Sequence, residues 1–255
     1  MIFGFLFLIL LIGGVLVSRA KSLQISTIEV SGALVTGSAP VEAVTKDMLS
    51  GYYLWLIPRA NFFLYPRGAL EKVLLRKFPR FSSVSIEVKG LQTLQISAIE
   101  RQPFALYCLP GGALAKSGAT GACSFLDESG FIFDTAPTFS EGVYFAYSSA
   151  LPIEAPLGKE FLPATEFRLL SGFIEKLQEL NVKPLSFTLS QDEENLILVG
   201  GAVLKWNRES DLSRIFSNLE AFLSSDAIKG QKDFWNKLLV LDLRTENKVF
   251  YTFRE

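Results

Sequence analysis

Apolar residues are concentrated at one end of the chain. An uncharged run from Met1 to Val17 opens it, and nothing comparable follows. As a helix extended through Ser18 it reaches about 27 Å at 1.5 Å per residue, close to a hydrocarbon core of about 30 Å. The run predicts an uncleaved transmembrane anchor over residues 1–18, with the bulk of the chain outside the cytoplasm. A signal peptide fits less well. No basic residue precedes the run, and Ser18-Arg19-Ala20 is a poor small-residue cleavage site. Arg19 and Lys21 follow the run, the side that the positive-inside rule keeps cytoplasmic. An exported orientation therefore implies a basic segment upstream of this chain.

Beyond the run, hydrophobic positions recur in short, well-punctuated segments. Leu23, Ile25, Ile28 and Val30 predict a strand ending at Ser31-Gly32. Val41, Val44, Met48 and Leu49 fall on one face of a short helix, and Leu70, Val73, Leu74 and Phe78 on a second, stopped by Pro79. Between them Tyr52 to Pro66 is aromatic and irregular. Val84, Ile86 and Val88 alternate, as do Leu94, Ile96 and Ala98, with a turn at Lys89 to Gln92. The order is strand, helix, helix, strand, strand. Arg67, Lys72, Arg76, Lys77 and Arg80 give the second helix a basic character, read as a solvated face.

At Gln102-Pro103 the pattern changes to a strand-dominated region, and this is the predicted domain boundary. Phe125 to Phe133 reads as two apolar strands around a tight turn at Asp127 to Gly130. Residues 135–163 read as strand and loop. Phe167, Leu170, Ile174 and Leu177 predict a helix weakened by Gly172, and Leu212, Ile215, Phe216, Leu219, Phe222 and Leu223 the most regular amphipathic helix of the chain. Strands are predicted at Leu185 to Leu189, Leu196 to Trp206, Leu238 to Leu243 and Val249 to Phe253, the last two joined by a turn at Glu246-Asn247-Lys248.

Charge and composition narrow the function. Twenty-five basic residues against 26 acidic ones leave no electrostatic footprint for nucleic acid. Histidine is absent, which removes Ser-His-Asp and Cys-His catalysis, histidine metal sites and a histidine pH switch. No phosphate-binding glycine motif occurs; Gly111-Gly112 and Gly200-Gly201 read as turns or bulges. Acidic pairs at Asp127-Glu128 and Asp192-Glu193-Glu194 read as solvated turns, not as paired catalytic carboxylates. No catalytic residue, metal site, cofactor or small-molecule substrate is expected. Glu100-Arg101 reads as a hydrogen-bonded tie at the domain boundary.

The two cysteines, Cys108 and Cys123, flank a turn-rich stretch between apolar segments, so each end of a hairpin carries a thiol. In an oxidising compartment a bridge would close a loop of about 15 residues and contribute up to about 3 kcal/mol in the chain-entropy model. Packing as two unpaired small apolar residues is the alternative. The last strand is expected to lie on a sheet edge, where Phe250, Tyr251 and Phe253 offer aromatic anchors to a partner.

Three stretches, in order, resemble the FtsQ/DivIB family of bacterial cell division proteins. The first is Ile28-Glu29-Val30-Ser31-Gly32 with the segment from Lys77 through Pro79 to Ile86, similar to a polypeptide-transport-associated (POTRA) domain. The second runs from Leu94 through Glu100-Arg101-Gln102-Pro103-Phe104-Ala105, followed by Phe125-Leu126-Asp127-Glu128-Ser129-Gly130-Phe131. The third is Leu241-Asp242-Leu243-Arg244 with Val249-Phe250-Tyr251 behind it.

The resemblance implies an α+β fold: a transmembrane helix at 1–18, a β-α-α-β-β POTRA domain at 22–102, and a strand-rich β domain with two packed helices at 103–255. It implies a non-enzymatic divisome scaffold of the inner membrane at the division septum. Such a scaffold binds small single-pass coiled-coil proteins of the FtsB/DivIC and FtsL type through the C-terminal strands. Carried over by position, the partner edge comprises Thr245, Val249, Phe250, Tyr251, Thr252 and Phe253. The motif positions are Gly32, Pro79, Glu100, Arg101, Pro103, Asp127, Gly130, Asp242, Leu243 and Arg244. Three features depart from the family pattern: the expected cytoplasmic tail does not precede the apolar run in this sequence, the cysteine hairpin is not general to the family, and Tyr52 to Tyr65 is longer and more apolar. The competing reading is an extracytoplasmic POTRA module for polypeptide transport or assembly, although the repeated alternating spans of a barrel are missing.

Overall fold

The structure, a computed structural model, describes residues 2–109, 123–140, 142–229, 231, 233–246 and 248–254. Gly111, Gly112 and Asn247 lie outside the described residues, so the turns read there are not placed. The chain divides into two compact units, Met1–Arg101 and Gln102–Glu255.

The first unit runs α1 (Ile2–Ser18), β1 (Thr27–Ser31), α2 (Ser38–Leu49), β2 (Tyr52–Tyr53), β3 (Ile57–Pro58), α3 (Arg67–Lys77), β4 (Phe81–Lys89) and β5 (Thr93–Glu100). The last strand takes the centre of the sheet: β5 pairs parallel with β1 and antiparallel with β4. Alternation explains the choice. Leu94, Ile96 and Ala98 are all buried, so β5 needs cover along its whole inner face. The cover comes from Val41, Val44 and Leu49 of α2 and Leu70 and Leu74 of α3. Thr45 joins this buried face because its hydroxyl donates back to the Val41 carbonyl at 2.8 Å, which satisfies it without water. β1 begins four residues later than the apolar pattern suggested. Lys21–Leu23 forms one tight turn, and Gln24 and Ile25 pair with Asn61 and Ala60 instead.

No helix among the described residues is long and apolar enough to cross a membrane. This overturns the expected transmembrane anchor over 1–18 and, with it, the single-pass placement in the cell inner membrane. The physical reason is length. α1 has 17 residues, roughly 26 Å at 1.5 Å per residue, short of a hydrocarbon core of about 30 Å. Its C-terminal end is fixed by the fold: Asn61 Nδ2 donates to the Ser18 carbonyl at 3.0 Å, and the Arg19 and Ala20 N–H groups donate three residues back, to Leu16 and Val17, closing the helix.

The second unit comprises β6 (Ala105–Cys108), β7 (Cys123–Leu126), β8 (Phe131–Thr135), β9 (Ala146–Ser149), β10 (Lys159–Glu160), α4 (Ala164–Lys176), β11 (Pro184–Leu189), β12 (Glu193–Leu198), β13 (Val203–Asn207), α5 (Leu212–Ser224), α6 (Asp226–Lys229), α7 (Phe234–Lys237), β14 (Leu238–Asp242) and β15 (Phe250–Phe253). Its strands form one sheet in the order β10-β8-β7-β6-β9-β11-β12-β13-β14-β15. Three pairings, β6 with β9, β9 with β11 and β13 with β14, are parallel. Phe167, Leu170 and Ile174 of α4 and Ile215, Phe216 and Leu219 of α5 share one buried core with Tyr147, Phe187, Leu204 and Trp206 of the sheet. A smaller buried group, Leu106, Phe125, Phe133 and Ala146, packs with Phe139 and Tyr144. Because Leu106 and Tyr107 are adjacent and both buried, β6 is covered on its two faces.

Candidate partner-binding edge

The site starts from the way β14 ends. Leu241 and Leu243 are buried, and the intervening Asp242 carboxylate turns outward. Its Oδ1 accepts from the Arg244 N–H at 3.1 Å and from Arg244 Nε at 2.9 Å. The Arg244 side chain, hydrogen-bonded to it, holds the Asp242 carboxyl below the usual carboxylate range, against a smaller opposing effect of burial. Arg244 Nη1 also reaches Glu193 at 3.3 Å, and Lys205 approaches the same carboxylate at 3.8 Å. The local carboxylate–guanidinium fork thus stops the strand and ties its end to β12. Beyond it, α5 anchors the connection to β15. Arg214 pairs with Glu246 at 2.7 Å, and Asn218 Nδ2 donates to the Glu246 carbonyl at 2.8 Å.

The chain then returns as β15, antiparallel to β14, pairing Asp242 with Phe250, Leu241 with Tyr251 and Leu238 with Phe253. β15 is the last strand of the sheet, so among the described residues one side of it has no neighbour. The Arg254 N–H donates to the Lys237 carbonyl at 2.8 Å, toward β14. Backbone groups alternate along a strand, so the N–H groups of Phe253 and Tyr251 face the open side. Side chains divide by face. The Tyr251 ring packs on Phe222 of α5 at 5.5 Å and near Phe234 of α7, and Phe253 also meets Phe234. Phe250, 56% exposed, looks out, as do Thr245 and Thr252, while Val249 is half-buried. The edge combines unpaired donors with an outward aromatic side chain on a braced strand. Of the bracing rings, Phe222 lies on the predicted amphipathic helix, whereas Phe234 has no linear signal because α7 is a single turn, entered through Asp233 at φ +70.

Asp242, Leu243, Arg244 and Thr245 converge on this edge. The other motif positions do not. In the first unit, Glu100 accepts from the Val35 N–H at 3.0 Å and the Thr36 N–H at 2.8 Å, securing the lead-in to α2. Burial pushes its carboxyl up, but the Thr36 and Val35 donors outweigh that and leave it below the ordinary value. Arg101 Nε donates to the Pro79 carbonyl at 3.1 Å. Both of these ties are internal to the first unit and hold its own loops. Glu100→Ala is expected to lower the stability of that unit by about 1 kcal/mol, checked by chemical unfolding; an unchanged midpoint would deny the tie.

In the second unit, Asp127 Oδ1 accepts from the Ser129 N–H at 2.8 Å and the Phe131 N–H at 3.0 Å, building the turn between β7 and β8. Gly130 completes it at φ +82, where a Cβ would meet the Phe167 ring at 2.6 Å. Cys108 and Cys123 pair across β6 and β7 with Cα atoms 4.1 Å apart, and their sulfurs are bonded. Glu194 departs from the acidic-turn reading: it is buried in β12, and Trp206 Nε1 donates to it. The described residues hold no cluster of three or more acidic or cysteine side chains suited to a metal ion. No protein-family model matches the chain, and no curated protein matches it.

Proposed function

We propose that this chain is a non-enzymatic scaffold that captures a partner polypeptide on the open side of β15. The partner type that the sequence resemblance implies is a small single-pass coiled-coil division protein of the FtsB/DivIC or FtsL kind, placing the chain among proteins that organise septal wall synthesis. The observation that carries the reading is the edge itself. β15 is braced from within by Tyr251 on Phe222 and tied at its entry through Glu246, yet it leaves the N–H groups of Tyr251 and Phe253 facing outward. Strand addition takes affinity from such main-chain groups and specificity from outward side chains such as Phe250.

Two substitutions at one position separate packing from pairing. Tyr251→Ala removes the ring from Phe222 and Phe234 and keeps the N–H. Tyr251→Pro removes both, and because this N–H faces away from β14 the inner ladder survives. In a pull-down against the single-pass coiled-coil proteins of the same genome, Tyr251→Ala is expected to retain partner binding. Tyr251→Pro is expected to weaken it at least about tenfold, the equivalent of about 1.4 kcal/mol. Binding by Tyr251→Pro equal to that of the unaltered chain would remove the site from β15. No binding by the unaltered chain would remove the scaffold reading and favour a POTRA-type module with another client.

A further inference from the structure

A second surface lies in the first unit and owes nothing to β15. The turn between β2 and β3 places Leu54 and Trp55 in solvent, each 89% exposed, with φ values of +46 and +63. Two consecutive non-glycine residues in the left-handed region are unfavourable, by roughly 1–2 kcal/mol each. Burying those side chains inward would remove two large apolar groups from water, yet the fold sustains the opposite arrangement. It does so with dedicated contacts. Arg19 Nε donates to the Leu56 carbonyl at 2.9 Å and Nη2 to the Trp55 carbonyl at 3.0 Å. Arg19 also lies over the Tyr52 ring, and Arg59 over the Tyr53 ring, at 5.7 Å each.

The flanks share this chemistry. Asn61, buried, spans from the Ser18 carbonyl to the Phe63 N–H and fixes the segment that presents Phe63, 73% exposed, and Leu64. Leu16 and Val17 at the end of α1 are exposed as well. The segments that carry this surface hold charges of one sign. Residues 1–28 and 48–70 contain no Asp or Glu, but they contain Arg19, Lys21, Arg59 and Arg67. Apolar and aromatic side chains exposed on a turn that Arg19 and Arg59 hold, in segments charged by Arg and Lys alone, match the boundary between lipid headgroups and acyl chains. Trp and Tyr settle there, and each basic residue near an anionic surface is worth about 1 kcal/mol.

We propose that this turn, with Phe63 and Leu64 beside it, docks on an anionic lipid surface. It enters the headgroup region to a depth of about 5–10 Å and does not cross the bilayer. A second copy of the chain is the competing occupant. Two like-charged basic rims would repel there, whereas anionic headgroups neutralise them.

Trp55 is its own reporter, because Trp206 is fully buried and Trp235 is half-buried in the second unit. The full chain is mixed with vesicles of phosphatidylcholine alone or with phosphatidylglycerol added, some carrying brominated acyl chains. With anionic vesicles, tryptophan emission is expected to shift to the blue and be quenched by bromine, and both effects are expected to vanish in Trp55→Phe. Lys21→Glu with Arg59→Glu is expected to reduce the bound fraction about tenfold, while Trp206 emission reports an intact second unit. Quenching that is equal in the unaltered chain and Trp55→Phe, or binding indifferent to phosphatidylglycerol, would overturn the proposal. So would a concentration-dependent blue shift of Trp55 without vesicles, which would assign the surface to a second copy.

Discussion

Replacing Gly32 by alanine is expected to dismantle the sheet of the first unit, lowering its stability by roughly 3–5 kcal/mol. Gly32 follows β1 at φ +79, where a Cβ is already unfavourable by about 1–2 kcal/mol. The larger effect is steric. The added carbon would lie 1.9 Å from the Ala98 carbonyl oxygen. That oxygen belongs to the backbone of the central strand and cannot rotate aside as a side chain would. Relief requires β1 and β5 to separate, which abandons the pairing from Thr27 with Thr93 to Ser31 with Ser97 and uncovers Ile96 and Ala98. Gly90→Ala is the control: its φ is +65, but nothing lies within 4 Å of the added carbon, so only the conformational penalty of about 1–2 kcal/mol applies. Amide hydrogen exchange at the β1 and β5 backbone reads the stability of the first unit in both variants. Similar small losses in the two variants would show that β1 yields easily at this contact.

The same unit shows what a linear pattern carries and what it does not. Period-two positions locate β4 and β5 because Val84, Ile86, Leu94 and Ile96 are buried on one face, while Ser85 and Glu87 stay exposed and Gln95 is half-buried on the other. The central place of β5 was not legible, since it rests on the parallel pairing with distant β1, from Thr27 with Thr93 to Ser31 with Ser97, which no local signal encodes. In the second unit the parallel pairings join segments separated by tens of residues, such as Tyr107 with Tyr147 and Leu204 with Leu241, and no local signal encodes them. β2 and β3, two residues each, are too short to show any period. At the N-terminus the apolar pattern was read as length enough for an anchor. The helix does end at Ser18, where the pattern puts its end and where Asn61 Nδ2 takes up the Ser18 carbonyl, but its 17 residues fall short of the span an anchor needs. At β15 the pattern correctly suggested aromatic side chains on a terminal strand, but it could not divide them between the bracing Tyr251 and the outward Phe250.

Glu194 illustrates a side chain whose neighbours mislead, and it sets the pH dependence of the second unit. Next to Asp192 and Glu193 it looks like one more solvated acid, yet Glu193 meets Arg244 at the surface while Glu194 is only 5% exposed. Burial pushes its carboxyl up to about 7, against smaller opposing effects of the Trp206 N–H and Arg208. In the unfolded chain the same group ionises near 4.5. Between about pH 4.5 and about pH 7 the folded state therefore holds a proton that the unfolded state has released. Stability is fully present below the lower value and is lost as pH rises through the upper one. The loss amounts to at most about 3 kcal/mol, since a tenfold change in proton affinity corresponds to about 1.4 kcal/mol. Glu194→Gln keeps the shape and an oxygen for Trp206 but cannot ionise. It is expected to match the unaltered chain within about 1 kcal/mol at pH 5, and to exceed it by up to about 3 kcal/mol at pH 8. Urea unfolding followed through Trp206 at pH 5, 6, 7 and 8 reads this directly. Parallel curves of stability against pH for the two proteins would mean that Glu194 is ionised in the fold, with Arg208, which lies 3.7 Å from Glu166, providing the compensating charge.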